Sequence, residues 1–146
     1  MAPTLAFLVS LLSLPLLSHA LPTTPALPKT WTLTNFTLIL SPAQNSTSIS
    51  FTFTDRSPAF PTILTCTSNT TLRTQACGPR RDVLWKVSED LGEVVLRRQM
   101  SLNSTNMGTA RQATHWVDGV NVTETGAGRQ YAKAEDWLFT VSSVSG

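Results

Sequence analysis

The pattern that most narrows the fold is a strict alternation at residues 47–54, where Ile49, Phe51 and Phe53 take every second position and Ser48, Ser50, Thr52 and Thr54 take the others. A period of two puts the apolar side chains on one face of a strand and the hydroxyls on the other. A helix would scatter both sets around its circumference. Weaker alternations follow at residues 62–68 (Ile63, Leu64, Cys66), at Val83, Trp85 and Val87, and at residues 93–100, where Val94, Leu96 and Met100 share a face. Arg98 shares it too, which places that end of the strand at a rim. The pairs Arg80-Arg81 and Arg97-Arg98 are the only basic clusters and read as solvated faces. Between these strands, Ser88-Glu89-Asp90-Leu91-Gly92 reads as a hairpin connection with Gly92 available for a positive φ.

The first strand, residues 31–40, changes phase. Trp31 and Leu33 belong to one period-two set, Phe36, Leu38 and Leu40 to the other. A β-bulge near Thr34-Asn35 reconciles the halves. Ser41-Pro42 and the polar residues after them form a turn. Further on, residues 111–117 put Thr114 and Trp116 on one side, Asp118-Gly119 signals a two-residue turn continued by Val120-Asn121-Val122, and residues 126–129 read as a loop. Residues 137–144 close the chain as a strand, with Trp137, Phe139 and Val141 in phase. No stretch holds a helical period. The expected class is all-β: a compact antiparallel β-barrel or β-sandwich of roughly seven or more short strands.

The N-terminus sets the expected compartment. Residues 5–17 are almost wholly apolar and lead into Ser18-His19-Ala20, the small-residue pattern of a signal peptidase site, so residues 1–20 are expected to be a signal peptide cleaved after Ala20. The n-region lacks Lys and Arg, but Pro15 and a length below about 20 residues disfavour a membrane anchor. Residues 21–30, with Pro22, Pro25 and Pro28, read as an extended linker, and residues 31–146 as one β domain. After cleavage the chain is expected outside the cell and off the membrane.

Two cysteines, Cys66 and Cys77, are the whole complement. In an oxidising compartment they read as one structural disulfide closing a loop of about a dozen residues, worth roughly 3 kcal/mol. Five N-glycosylation acceptors, at Asn35, Asn45, Asn69, Asn103 and Asn121, fit the same compartment. Asn35 and Asn121 fall within predicted strands, so glycans there require both to point outward.

Catalytic signals are sparse. Beyond residue 20 the only histidine is His115, three residues before Asp118, with no nucleophile motif to join it, and it reads as a surface or structural residue. One histidine and two bridged cysteines leave no metal set. Glu89-Asp90 and Glu135-Asp136 read as solvated turn carboxylates. A net charge of +2 is low for a nucleic-acid binder. No catalytic residue, cofactor or metal site is therefore expected. Trp31, Trp85, Trp116 and Trp137 read as core residues, although one or two lining a barrel mouth could stack on a phenolic or sugar ring.

The run of Trp31 and Phe36, the strand Ser48-Ile-Ser-Phe-Thr-Phe53, Thr65-Cys66, Cys77-Gly78, Leu84-Trp85, the acidic hairpin and Val94-Val95-Leu96-Arg97-Arg98 resembles the family of small secreted fungal proteins typified by the major allergen of Alternaria. The resemblance covers residues 31–100 well and the rest loosely. It implies a compact β fold, secretion by filamentous fungi and, for some members, an effector or elicitor role toward plants. This chain departs from the type member, which has a second disulfide in its C-terminal half and a cysteine used for dimerisation. Here residues 126–139 carry Tyr131 and Trp137 but no cysteine, so a monomer is expected. The resulting expectation is a non-enzymatic, secreted, allergen- or effector-like protein. The residues name no partner; the candidates are a host protein or a small apolar ligand, and the alternative functions are a carrier of a small apolar or phenolic ligand or, more remotely, a secreted hydrolase.

Overall fold

Ten antiparallel strands form one sheet that curls until its two edges meet. The structure is a computed structural model and describes residues 29–58, 60–79, 81–101 and 104–146. The expected signal peptide, residues 21–28 of the expected linker, Arg80 and Asn103 lie outside the described residues. The strands are β1 (Thr30–Ser41), β2 (Ser46–Asp55), β3 (Thr62–Ser68), β4 (Gln75–Cys77), β5 (Val83–Val87), β6 (Glu93–Gln99), β7 (Met107–Ala113), β8 (Val122–Thr125), β9 (Gly128–Lys133) and β10 (Trp137–Ser145). A 3-10 turn, Pro42–Gln44, joins β1 to β2.

Their order is β3-β2-β1-β10-β7-β6-β5-β4, with the β8–β9 hairpin attached to β1 through β9. The two ends of that order are joined by the Cys66–Cys77 disulfide, which holds β3 and β4 at a Cα separation of 4.8 Å. That is the spacing of a non-hydrogen-bonded antiparallel pair, about 4.5 Å. The two architectures left open by periodicity therefore resolve to a nearly closed β-barrel with a covalent seam.

β1 forks at its phase change. Residues Thr30 to Leu33 pair with β10, Phe36 to Leu40 pair with β9 on the same edge, and the register with β2 shifts between Thr34 and Thr37. Asn35 sits at the shift with φ 55, a left-handed conformation that Asn tolerates better than most residues. The bulge restores the phase, so Trp31, Leu33, Phe36 and Leu38 all point inward and are buried. Ile49, Phe51 and Phe53 meet them from β2, and Trp85, Val94, Leu96 and Phe139 complete a filled interior. Phe51 and Trp85 cross edge to face at 4.9 Å, as do Phe36 and Trp137 at 5.4 Å.

Several expectations change. The last two residues of the expected linker belong to the fold: Thr30 opens β1, and the Lys29 carbonyl accepts from the Val141 N–H at 2.8 Å. β7 begins earlier than its sequence suggests because Gly108 occupies an inward position. A Cβ there would stand 2.5 Å from Met100 Sδ and 3.3 Å from the Trp31 ring, so bulk at residue 108 is excluded and the hydrophobic signal is missing. Residues 126–129 are not all loop; Gly126-Ala127 is the turn and Gly128 already starts β9, whose half-buried residues show no alternation. In the β5–β6 hairpin the left-handed residue is Leu91 (φ 57), not Gly92. A Cβ on Gly92 would stand 3.0 Å from the Asp90 carboxylate, which would have to shift by a few tenths of an ångström to admit it. Asp118-Gly119 lies in a longer turn, in which the N–H groups of Val120, Asn121 and Val122 all donate to the Val117 carbonyl. Asn121 thus leaves the strand assigned to it and is half-buried.

The seam gives a direct test. Replacing both Cys66 and Cys77 by Ser frees a loop with a sequence separation of 11. Urea unfolding should show a loss of about 3 kcal/mol, the chain-entropy cost of that loop. A loss below about 1 kcal/mol would mean that the seam is held by packing alone.

Candidate functional site

The groups that could carry catalysis are dispersed. His115 is exposed, with φ 47, and its carbonyl accepts from Asn121 Nδ2 at 3.4 Å. Asp118 turns instead to Arg129, 2.5 Å away. Asp90 accepts from the Ser88 hydroxyl at 2.6 Å and the Gly92 N–H at 3.0 Å, which hold its carboxyl below the usual range and make it a turn-stabilising group. Glu89, Glu135 and Asp136 are exposed on loops. Among the described residues no three His, Cys, Asp or Glu side chains gather as a metal set.

The structure does assemble one charged cluster, inside the barrel end. Asp55 lies in phase with Ile49, Phe51 and Phe53, and Arg98 in phase with Val94 and Leu96, so both are delivered to the interior. Asp55 Oδ2 accepts from Arg98 Nη1, from Trp31 Nε1 at 3.0 Å and from Lys29 Nζ at 3.2 Å. Its Oδ1 takes the N–H and hydroxyl of Ser57 at 2.8 and 2.6 Å. Arg98 Nη2 donates to the Phe60 carbonyl and Thr62 Oγ1, both at 2.5 Å, and the guanidinium lies over the Phe60 ring, 4.5 Å from its centroid.

Arg98 is therefore not at a rim; its side chain is 0% exposed. Burial pushes its pKa down to about 10, which still leaves it charged at neutral pH. Burial, then the Arg98 charge, lower Lys29 as well. Buried perturbed groups often mark active sites, but this pair is buried and its contacts run to the chain itself, with Arg98 Nε the one guanidinium nitrogen left without a partner among the described residues. Its role is to fix the β2–β3 connection against β1 and β6. The signal for it was present in the sequence, as opposite charges each continuing an apolar phase.

A second grouping fills the fork of β1, between β9 and β10. Leu91 offers its carbonyl to Thr114 Oγ1 at 2.7 Å and Trp116 Nε1 at 2.8 Å, which ties the segment after β7 to the β5–β6 hairpin. Trp116 then packs on Tyr131 (5.3 Å), Phe36 (6.0 Å) and Trp137 (6.3 Å). Lys133 Nζ covers the exposed side, 5.0 Å from the Trp116 ring and 5.3 Å from that of Trp137. Desolvation lowers the Lys133 pKa. Trp31, Trp85 and Trp137 are buried, whereas Trp116 is half-buried, so it is the tryptophan closest to a mouth position. Of the acceptor asparagines, Asn35, Asn45 and Asn69 are exposed, and the half-buried Asn121 accepts the Val117 N–H at 2.7 Å through Oδ1.

These features define a filled, disulfide-closed β-barrel of the kind seen in a fungal allergen. Two crystal structures of the Alternaria alternata major allergen Alt a 1 match the chain. One has a TM-score of 0.58 at 14% identity and covers 84% of this chain and 94% of its own; the other has 0.56 at 13%, covering 77% and 92%. At that identity the two proteins share a fold. No protein-family model matches the sequence, and no curated protein does.

Two substitutions test these clusters. Arg98→Met leaves Asp55 buried without its main counter-ion and should cost about 3–5 kcal/mol in urea unfolding, while the double variant Asp55→Asn/Arg98→Met should cost clearly less than the sum of its singles. Additive losses would mean that the two side chains act independently. Lys133→Ala should uncover the Trp116 and Trp137 rings, raising acrylamide quenching of tryptophan emission at a stability cost of about 0.5–1 kcal/mol. Unchanged quenching would show that Lys133 does not shield them.

Proposed function

We propose that this chain is a secreted, non-enzymatic protein of the allergen or effector kind, acting outside the cell at a plant host surface through its outer faces. The observation that carries this reading is a barrel whose interior is filled by aromatic and aliphatic side chains and whose Asp55–Arg98 pair is buried, in a fold shared with a fungal allergen. Such a barrel has no room to process a substrate inside and must meet partners from outside. The disulfide supports an oxidising compartment. So do the apolar N-terminal run with its Ser18-His19-Ala20 site, and acceptor asparagines at the exposed positions 35, 45 and 69. A host protein is the proposed partner, and the chain acts as a monomer.

One observation favours a second reading, carriage of a small apolar or phenolic ligand: Trp116 and Tyr131 are half-buried at the β1 fork, with the Lys133 ammonium over the Trp116 ring. A planar ring could take the place of Lys133 on the Trp116 face.

Expression of the full chain in a secreting fungal host tests the first reading. The medium should contain a protein beginning at Leu21 whose apparent mass falls on endoglycosidase treatment, and the purified protein should evoke a defence response in leaf tissue. Retention in the cell would refute secretion, and a silent leaf assay would refute host action. Quenching of tryptophan emission by a phenolic, lost in Trp116→Ala, would favour the carrier instead.

A further inference from the structure

β6 is paired along both edges, to β5 and to β7. Val94, Leu96 and Arg98 face inward, so Glu93, Val95 and Arg97 face solvent. Register fixes what surrounds them: Val95 stands opposite Lys86 on β5 and opposite Arg111 on β7. Val95 is the centre of a cross with three cationic arms, Lys86, Arg97 and Arg111, and one acidic arm, Glu93. Opposed Cβ atoms on neighbouring strands lie about 5 Å apart and diagonal neighbours about 7–8 Å, so the three cationic heads can converge on one group. Arg111 is engaged by Glu93 at 3.0 Å, whereas Lys86 and Arg97 have no ion pair among the described residues.

The same residues line a cleft of about 300 Å3, together with Leu84, Thr74 and Ser88, whose hydroxyl is held by Asp90 and the Glu93 N–H. Its positive excess equals the net +2 of the entire chain. The sequence shows none of this, because Lys86, Arg97 and Arg111 are far apart along the chain.

We infer that this face binds a carboxylate-bearing oligosaccharide, a chain of uronic acid rings. The apolar floor fits the C–H face of a sugar ring, Lys86 and Arg97 meet its carboxylates, and Thr74 meets its hydroxyls. With both edges of β6 paired, the strand at the centre of the face has no free edge to take up a peptide strand. Three cations neutralise too few phosphates to hold nucleic acid. The cleft is open to solvent and near the lower size of ligand sites, about 300 Å3, which suits one or two rings of a chain that continues past it. This face is present whatever compartment the protein occupies.

Titration calorimetry of the full-length protein with oligogalacturonate at low salt tests it. Binding is expected, weakened by added salt and absent for the fully methyl-esterified oligomer. The variant Lys86→Gln/Arg97→Gln should bind about tenfold more weakly, as fits the loss of two exposed charge contacts. Val95→Glu, which sets a carboxylate at the centre of the cross, should abolish binding, and Arg56→Gln, on a distant loop, should leave it unchanged. Circular dichroism should show all variants folded, since these side chains face solvent. No binding to oligogalacturonate, equal binding of the ester, or unaltered binding by the folded Val95→Glu variant would overturn the inference. Equal affinity for poly-glutamate would overturn it too, by making the face a general acidic-peptide surface.

Discussion

A sheet that closes on itself with a seven-residue edge, β3, against a three-residue edge, β4, cannot complete its ring by backbone hydrogen bonds alone. Everything else in this barrel depends on how that mismatch is held. Two clasps span it from different chemistry. The Cys66–Cys77 disulfide joins the edges where both exist. Beyond the end of β4, Arg98 reaches through the interior from β6 to Thr62 and the Phe60 carbonyl at the start of β3, anchored by Asp55. The first acts largely by limiting the unfolded chain. The second is a buried ion pair, whose attraction is largely offset by the desolvation of its charges, so that breaking it costs more than the pair adds in net stability.

Closure has a functional consequence. Once the seam is shut, the inward faces pack Trp31, Phe36, Phe51, Phe53, Trp85 and Phe139 against one another, and the barrel holds side chains in place of a ligand. In the proposed reading, recognition takes place on the outside of the wall. There the exposed faces differ in character: a lysine-capped aromatic fork at β9 and β10, and a cationic cross on β5, β6 and β7.

The fork also shows how the C-terminal third manages without a second disulfide. Where the family resemblance places one, this chain packs Trp116, Tyr131 and Trp137 under Lys133. Sequence reading found the aromatic residues but not their grouping, because Trp116 lies outside any strand and is positioned by a hydrogen bond to Leu91, 25 residues away. β9 escaped notice for a related reason: its half-buried residues carry no alternation.

By itself the sequence determined the strands whose faces differ, the phase change at Asn35, and the cysteine pair, because a period of two and a bulge are local properties of the chain. The tertiary structure alone decided that the sheet is a barrel and that Asp55 and Arg98 are interior. It also decided that Gly108 fills an inward place and that Lys86, Arg97 and Arg111 share one face. Those facts depend on which strands become neighbours. That choice is made by closure across the seam, and no local pattern encodes it.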